Sequence, residues 1–396
     1  VWQKLRSGAW LTPERVRAYL RILMSIAAVT TIATVAFPNV VGPEDLPLGA
    51  DFSQVWVAGK EVRAGAPNAP YDFSRHIAAQ RTVFGENTGV FGWHYPPYFL
   101  APAALLADLP YLVALAIWQL STLCAYLWVV APILTGAGLR RRDALVTALA
   151  FPAVFVNLVH GQNGFLTAAL LGAGFRLLDS RPWAAGGLFA LLAYKPHFML
   201  VLPLALVIER RWRALIAAGF ALLVMTGASI FAFGVGAWRA FFDSLRVTRL
   251  MSEQGAAGFE KIQSVFAATR LLGASVEAAY AIQGLIIVVV FGALIRLLRS
   301  AADPRVKAAA TITAMFLTTP YVLDYDMAAL GPALAFLLAH GLEKGFAPYE
   351  KTILAVAYAI PLVARPFALA TGLPLGALTT LALFASTVRL LNDRQS

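Results

Sequence analysis

Apolar residues run through this chain in long blocks joined by short polar stretches. Blocks near 20–38, 111–134, 144–159, 164–178, 184–194, 197–209, 214–234, 276–295, 308–321, 326–340, 352–364 and 372–390 predict helices. A spanning helix needs about 20 apolar residues, so the pattern predicts about 12 transmembrane helices in an all-α membrane protein. Both termini then lie on one side. Three polar interruptions fall on the opposite, outer side. The first is a long loop over residues 38–97, the second covers 235–275, and the third is the short run Thr318–Asp326. Residues 98–109 are apolar but too short to cross, and are expected to lie along the outer interface or dip back into it.

Composition agrees with that pattern. Hydrophobic residues make up 59% of the 396 positions and charged residues 13%, where a soluble domain carries roughly 25% charged. The chain therefore reads as one membrane domain over residues 1–396. The net charge of +11 is divided among clusters between the apolar blocks, such as Arg140–Arg142, Arg210–Arg213 and Arg296–Lys307. That spacing follows the positive-inside rule and places both termini in the cytoplasm. It lacks the single basic face of a nucleic-acid binder. The basic N-terminus leads into an apolar block without a small-residue cleavage site, so a retained first helix is expected. One cysteine, Cys124, excludes a disulfide framework and a Cys/His zinc pattern. No Ser-His-Asp arrangement, phosphate-binding glycine loop or dinucleotide fingerprint occurs, and no cofactor is implied.

Two hairpins are short for a bilayer. Residues 144–175 must go out and back with about 16 residues an arm, about 24 Å of helix, against a hydrocarbon core of about 30 Å. Their tip, His160-Gly161-Gln162-Asn163-Gly164, should sit below the outer surface, as should Tyr194-Lys195-Pro196-His197 at the tip of 184–209. Irregular backbone at that depth must line a protein cavity. Gln162, Asn163, Lys195 and His197 are therefore expected to face an outward-opening cavity, capped by the loop that carries Asp51.

The candidate residues each admit two readings. Asp51, before Phe52, Val55 and Trp56, is a helix N-cap, a general base for a hydroxyl, or both. In His94-Tyr95-Pro96-Pro97, Pro97 opens a helix. The rest is either a membrane-entry turn or a fixed floor for a sugar or phosphate, with His94 as donor. Lys195 either snorkels to the interface or holds an anion such as a lipid-linked phosphate, with His197 assisting. Gln162-Asn163 form a tight turn or hydrogen-bond a sugar. Asp324-Tyr325-Asp326 resembles a metal-binding Asp-x-Asp, but at a helix mouth a polar cavity wall fits it better, and no metal site is expected.

Taken in order, Gly49-Ala50-Asp51-Phe52 with Trp56, Pro70-Tyr71-Asp72, Tyr95-Pro96-Pro97, Gly161-Gln162-Asn163, Gly186-Gly187 through Lys195-Pro196, and Gln263-Ser264 before Arg270-Leu271 resemble glycosyltransferase family 87 of the C-type superfamily. That family includes a mannosyltransferase acting on phosphatidylinositol mannosides. The resemblance implies the C-type multi-helix fold, an outward-facing active site in the first loop, and an acid there as base, at the position of Asp51. It also implies a polyprenyl-phosphate sugar as donor. Trp56, Tyr95, Gln162, Asn163, Gln263 and Asp324 are expected as substrate contacts. Many members carry a Trp-x-His-type motif after Ser/Thr-Pro in the late outer loop. Here Thr319-Pro320 is followed by Tyr321-Val322-Leu323, so the role of that histidine does not transfer.

The expected activity is inverting transfer of a hexose or pentose to a hydroxyl of an envelope glycolipid or glycan, on the periplasmic side of the plasma (inner) membrane. Lys195, His197, His94 and Arg270 are expected to stabilise the leaving phosphate. A lipid monophosphate departs with less charge than a nucleoside diphosphate, so the chemistry calls for no metal. A lipid-linked sugar flippase or transporter is the alternative, with a non-catalytic scaffold behind it.

Overall fold

The computed structural model describes residues 1–36 and 46–391; residues 38–45 of the expected first loop lie outside them. Among the described residues the chain is helical, apart from one isolated bridge between Ile262 and Leu323. Among the described residues, five helices are long and apolar enough to cross a membrane, or seven if each of two bent pairs forms one span. Other apolar blocks are helices of 10–17 residues, about 15–25 Å long, short for a hydrocarbon core of about 30 Å. The 184–194 and 197–209 blocks, for example, become Pro182–Leu191 and Val201–Ile208 linked by short 3₁₀ turns at Leu192–Tyr194 and Pro196–Leu200.

One of the two bent pairs has a local cause. Arg141–Leu149 and Pro152–His160 meet at 53°. Phe151 between them is extended, and Pro152 lacks the N–H that would continue the ladder. Glu350–Leu362 and Ala364–Thr371 meet at 75°. The Asp324–Lys344 segment is 89% buried, whereas Pro13–Ala33 is 6% buried. The first is therefore the centre of the bundle and the second a peripheral helix facing the surroundings. The central segment begins at Asp324, so its first residues are held by packing on several sides.

Two expected loops are largely helical. Within 46–97 the chain forms Phe52–Arg63 and Phe73–Phe84. Phe52, Val55, Trp56 and Gly59 share one helical face, and Leu100–Ala107 packs on it so tightly that a methyl group at Gly59 would strike the Ala103 carbonyl. The expected second loop, 235–275, is helical to Glu253: the helix from Trp212 breaks at Gly234 (φ 78°, ψ 163°), where the expected 214–234 helix ends, and a second helix follows to Glu253. Ala237, Trp238 and Phe241 continue an apolar face there, overriding the charges that suggested a loop.

Candidate active site

Two glycines bring the first loop onto the 160–164 tip. Gly49 (φ +62°) and Gly161 (φ +72°) are both left-handed, and their backbones touch. Gly161 ends Pro152–His160 as its left-handed cap. The Asp51 N–H donates to the His160 carbonyl at 3.1 Å. Tyr111 holds the same loop, donating to the carbonyls of Leu48 (2.7 Å) and Gly49 (3.1 Å).

Asp51 occupies the N-cap position of Phe52–Arg63, yet its carboxylate makes no capping bond. It accepts instead from Gln162 Nε2 at 3.3 Å and lies 3.6 Å from His160 Nδ1. The side chain therefore does not serve as the N-cap. Burial pushes its carboxyl above the usual aspartate range, opposed by the charges of His160 and Lys261 and by the Gln162 bond.

The tip is internally bonded. Gln162 Oε1 accepts from the Asn163 N–H (3.2 Å) and the Tyr95 hydroxyl (3.3 Å), and Asn163 Nδ2 donates to that hydroxyl at 2.7 Å. The Gln162 carbonyl accepts from Asn157 Nδ2 (3.0 Å) and Gln119 Nε2 (3.4 Å). Both amides are buried. Gln162 is thus occupied in orienting Asp51 and Tyr95, more than the expected open sugar contact. Asn163 Oδ1 is buried and has no partner among the described residues.

The third wall is Asp324-Tyr325-Asp326. Asp324 faces His160 Nε2 at 3.8 Å and Arg365 Nη1 at 4.0 Å. Asp326 accepts from the Lys195 ammonium and from the Leu323 N–H at 2.9 Å. Between them, the Tyr325 ring lies 5.7 Å from the His160 ring and 5.5 Å from Lys195 Nζ. His160, the neighbour of Asp51, and Lys195 therefore both border Tyr325.

The remaining expected residues are placed otherwise. His94 bonds Thr248 Oγ1 at 2.9 Å on Trp212–Glu253, and burial lowers its pKa to about 4, so it carries no charge at neutral pH. His197 is packed on Phe198 and Tyr321, its Nε2 unpartnered among the described residues. Arg270 donates to the Ala274 (2.6 Å) and Glu253 (3.4 Å) carbonyls, which makes it an anchor for its own loop. Trp56 is buried against Tyr111 and Phe84, its indole N–H donating to the Leu109 carbonyl at 3.0 Å. The Gln263 N–H donates to the Val322 carbonyl at 2.6 Å, and its side chain abuts Gly376. That contact ties the late loop to the C-terminal helix Leu375–Arg389.

Sequence reading passed over His160 and Arg365 as site residues, and took Asp326 only as part of a polar cavity wall. His160 had a signal, since it directly precedes the Gly161-Gln162-Asn163 tip. Arg365 had none, because its position follows from the 75° bend that turns Ala364–Thr371 back toward Asp324.

Comparison with known proteins gives one family. The model described as "Glycosyltransferase family 87" matches residues 93–320. No curated protein and no solved structure matches the chain. The matched span holds Tyr95, His160, Gln162, Asn163 and Lys195; Asp51, Asp324, Asp326 and Arg365 lie outside it.

Proposed function

The chain belongs to glycosyltransferase family 87, and from that premise we propose that it is an inverting membrane glycosyltransferase with Asp51 as its general base. The donor in this reading is a sugar on a polyprenyl phosphate. The acceptor is a hydroxyl of an envelope glycolipid or glycan. The fold is then of the C-type, with the cap formed by residues 46–107 on the periplasmic side of the plasma membrane and both termini in the cytoplasm.

Asp51 takes the acceptor hydroxyl's proton as that oxygen attacks the anomeric carbon from the face opposite the phosphate. The new C–O bond forms as the bond to phosphate breaks, and the lipid leaves as a phosphate monoester. One displacement inverts the configuration. Charge grows on the leaving oxygen, and preorganised donors in a water-poor site stabilise it best. Lys195 fits that part: an ammonium has three N–H donors, Asp326 takes one and fixes the group in place, and the others are left for a phosphate. Arg365, partly exposed beside Asp324, supplies a second cation. His94 and Arg270, with the bonds they make, are supporting residues in this scheme, and His197 stands beside Lys195 as an unpartnered donor or acceptor.

The observation that carries the reading is the Asp51 carboxylate itself. It sits where a helix cap belongs but points at Gln162 and His160. Asp51→Asn keeps the size and removes the base, which typically costs ~10²–10⁴-fold in rate. Transfer from polyprenyl-phosphate mannose, glucose and arabinose to a native membrane-lipid extract is the assay. Near-normal transfer by a folded Asp51→Asn protein excludes the role.

A further inference from the structure

His160 stands between two carboxylates that come from opposite ends of the chain. Its Nδ1 is 3.6 Å from Asp51 Oδ2 and its Nε2 is 3.8 Å from Asp324 Oδ1. The residue is fixed in place. It closes Pro152–His160, its carbonyl accepts the Asp51 N–H at 3.1 Å, and its ring lies 5.7 Å from that of Tyr325. A neutral imidazole has one donor and one acceptor nitrogen, whereas imidazolium has two donors. A ring with a carboxylate at each nitrogen is matched by the second form.

We propose that His160, as imidazolium, is the positioning residue that keeps Asp51 ionised and holds its Oδ2 in place. It acts through Asp51 and does not touch the substrate, and its catalytic meaning rests on the reading of Asp51 as base. The physical need is plain. A general base must be ionised before it can accept a proton, and burying a carboxylate favours its neutral form. An opposite charge within about 4–6 Å reverses that by about 1–3 pH units.

The other groups around Asp51 do not supply this. Gln162 gives one neutral hydrogen bond, and Lys261 makes no ion pair with Asp51 among the described residues, whereas His160 lies 3.6 Å away. Asp324 works in the opposite direction, with its own charge faced by Arg365 as well as His160. Tyr95, Tyr111, Tyr321 and Tyr325 are phenols, which carry no charge at neutral pH. The two carboxylates, His160 and Arg365 together form a group without net charge when the ring is protonated. Two of the four, Asp51 and Asp324, carry the charges that the ring separates.

The test follows the Asp51 carboxyl directly. Aspartates are ¹³C-labelled at the carboxyl carbon in the full chain, reconstituted in lipid nanodiscs, and titrated by NMR; the Asp51 signal is the one lost in Asp51→Asn. In His160→Gln the Asp51 midpoint should rise by at least about one pH unit. His160→Arg, which keeps a cation there, should restore most of the shift, and Lys261→Gln should move the midpoint less than His160→Gln does. Thermal melting checks each variant. If His160→Gln does not fold while His160→Arg folds with a wild-type Asp51 midpoint, the requirement for charge is upheld. A midpoint unmoved by His160→Gln, or moved more by Lys261→Gln, overturns the proposal. The acid limb of transfer should move with the midpoint. Normal transfer by Asp51→Asn would sink the reading of Asp51 as base, while the titration still decides whether His160 sets its ionisation.

Discussion

Gly161 packs its Cα against the backbone of Gly49, and both residues have positive φ. A methyl group on Gly161 would lie 2.8 Å from the Gly49 carbonyl oxygen and 2.9 Å from Phe52 Cβ. Neither atom can move without moving the loop that carries Asp51. A methyl on Gly49 meets chiefly the flexible Leu115 side chain, at 2.7 Å, with Gly161 Cα at 3.3 Å. A left-handed alanine costs about 1–2 kcal/mol at either position. Gly161→Ala carries the backbone overlap in addition. Thermal melting of both variants should show two destabilised proteins, with Gly161→Ala the lower. Transfer should fall further in Gly161→Ala than stability alone explains, because the overlap pushes Asp51 away from Gln162. Equal melting temperatures for Gly161→Ala and the unaltered protein would contradict the close approach.

The buried Asp51 carboxyl gives a pH prediction in which activity and stability move oppositely. Its pKa is raised in the folded protein, mainly by burial. A base must be ionised, so turnover should fall as pH drops through that raised value, above the ordinary aspartate pKa of 3.8. Stability has the reverse sign. Between 3.8 and the raised value the folded state binds more protons than the unfolded state, so stability declines as pH rises through that window. Above it, the ionised carboxylate is a standing penalty. Asp51→Asn removes the penalty, and should melt no lower than the unaltered protein at neutral pH while losing transfer. Below pH 3.8 that advantage disappears. Paired melting curves at pH 3.5 and pH 7 measure the sign. A variant that gains stability at the lower pH instead would overturn the account of Asp51.

How much of this was legible beforehand depends on what each residue's neighbours owe to chain order. The apolar blocks are local properties, so the helical membrane character could be read directly, as could Asp51 and the Gly161-Gln162-Asn163 tip. Length misled where a block's ends were chemical and its middle was not. The helix expected over 214–234 does break at Gly234, but an apolar face at Ala237, Trp238 and Phe241 builds a second helix where charges at Asp243, Arg246 and Arg249 suggested a loop. The first loop reads as polar, but the helical spacing of Phe52, Val55, Trp56 and Gly59 supplies a face for Leu100–Ala107. Partner identities were not legible. Lys195 announces a buried charge, but Asp326, 131 positions later, is reached only through the packed central segment. Arg365 needed a 75° bend that no residue pattern specifies. His94 and Arg270 were read as cations from their residue types, and it is burial beside Thr248 and the carbonyls of Ala274 and Glu253 that gives them other work.

Tyr95 tests the hydrogen-bonded tip without touching Asp51. Its hydroxyl accepts from Asn163 Nδ2 at 2.7 Å and donates to Gln162 Oε1 at 3.3 Å, all three side chains being buried. Tyr95→Phe keeps the ring packed against Phe99 and Trp93 but leaves the Asn163 donor short of a partner. An unsatisfied buried donor costs about 1–3 kcal/mol. The variant should be destabilised by about that amount in denaturant titration. Transfer should drop less than in Asp51→Asn, since Gln162 still reaches Asp51. A loss of transfer equal to that of Asp51→Asn would mean that the hydroxyl itself meets substrate.

Lys195 calls for a paired substitution, because its charge is not alone. Its ammonium donates to the Asp326 carboxylate, and both side chains are almost fully buried. Lys195→Ala leaves an uncompensated buried carboxylate, which typically costs 3–5 kcal/mol, so loss of transfer in that variant would report instability as readily as a missing phosphate contact. Replacing both partners separates the two effects. Lys195→Met with Asp326→Asn keeps the volume, keeps an oxygen for the Leu323 N–H, and removes both charges together. Removing a buried pair whole is often nearly neutral for stability. The double variant should therefore melt close to the unaltered protein, and well above Lys195→Ala. If Lys195 stabilises the leaving phosphate, the double variant still loses turnover, because the neutral thioether donates nothing. A double variant that folds and transfers sugar at the normal rate assigns the pair to structure alone, and leaves Arg365 as the cation positioned to meet the phosphate.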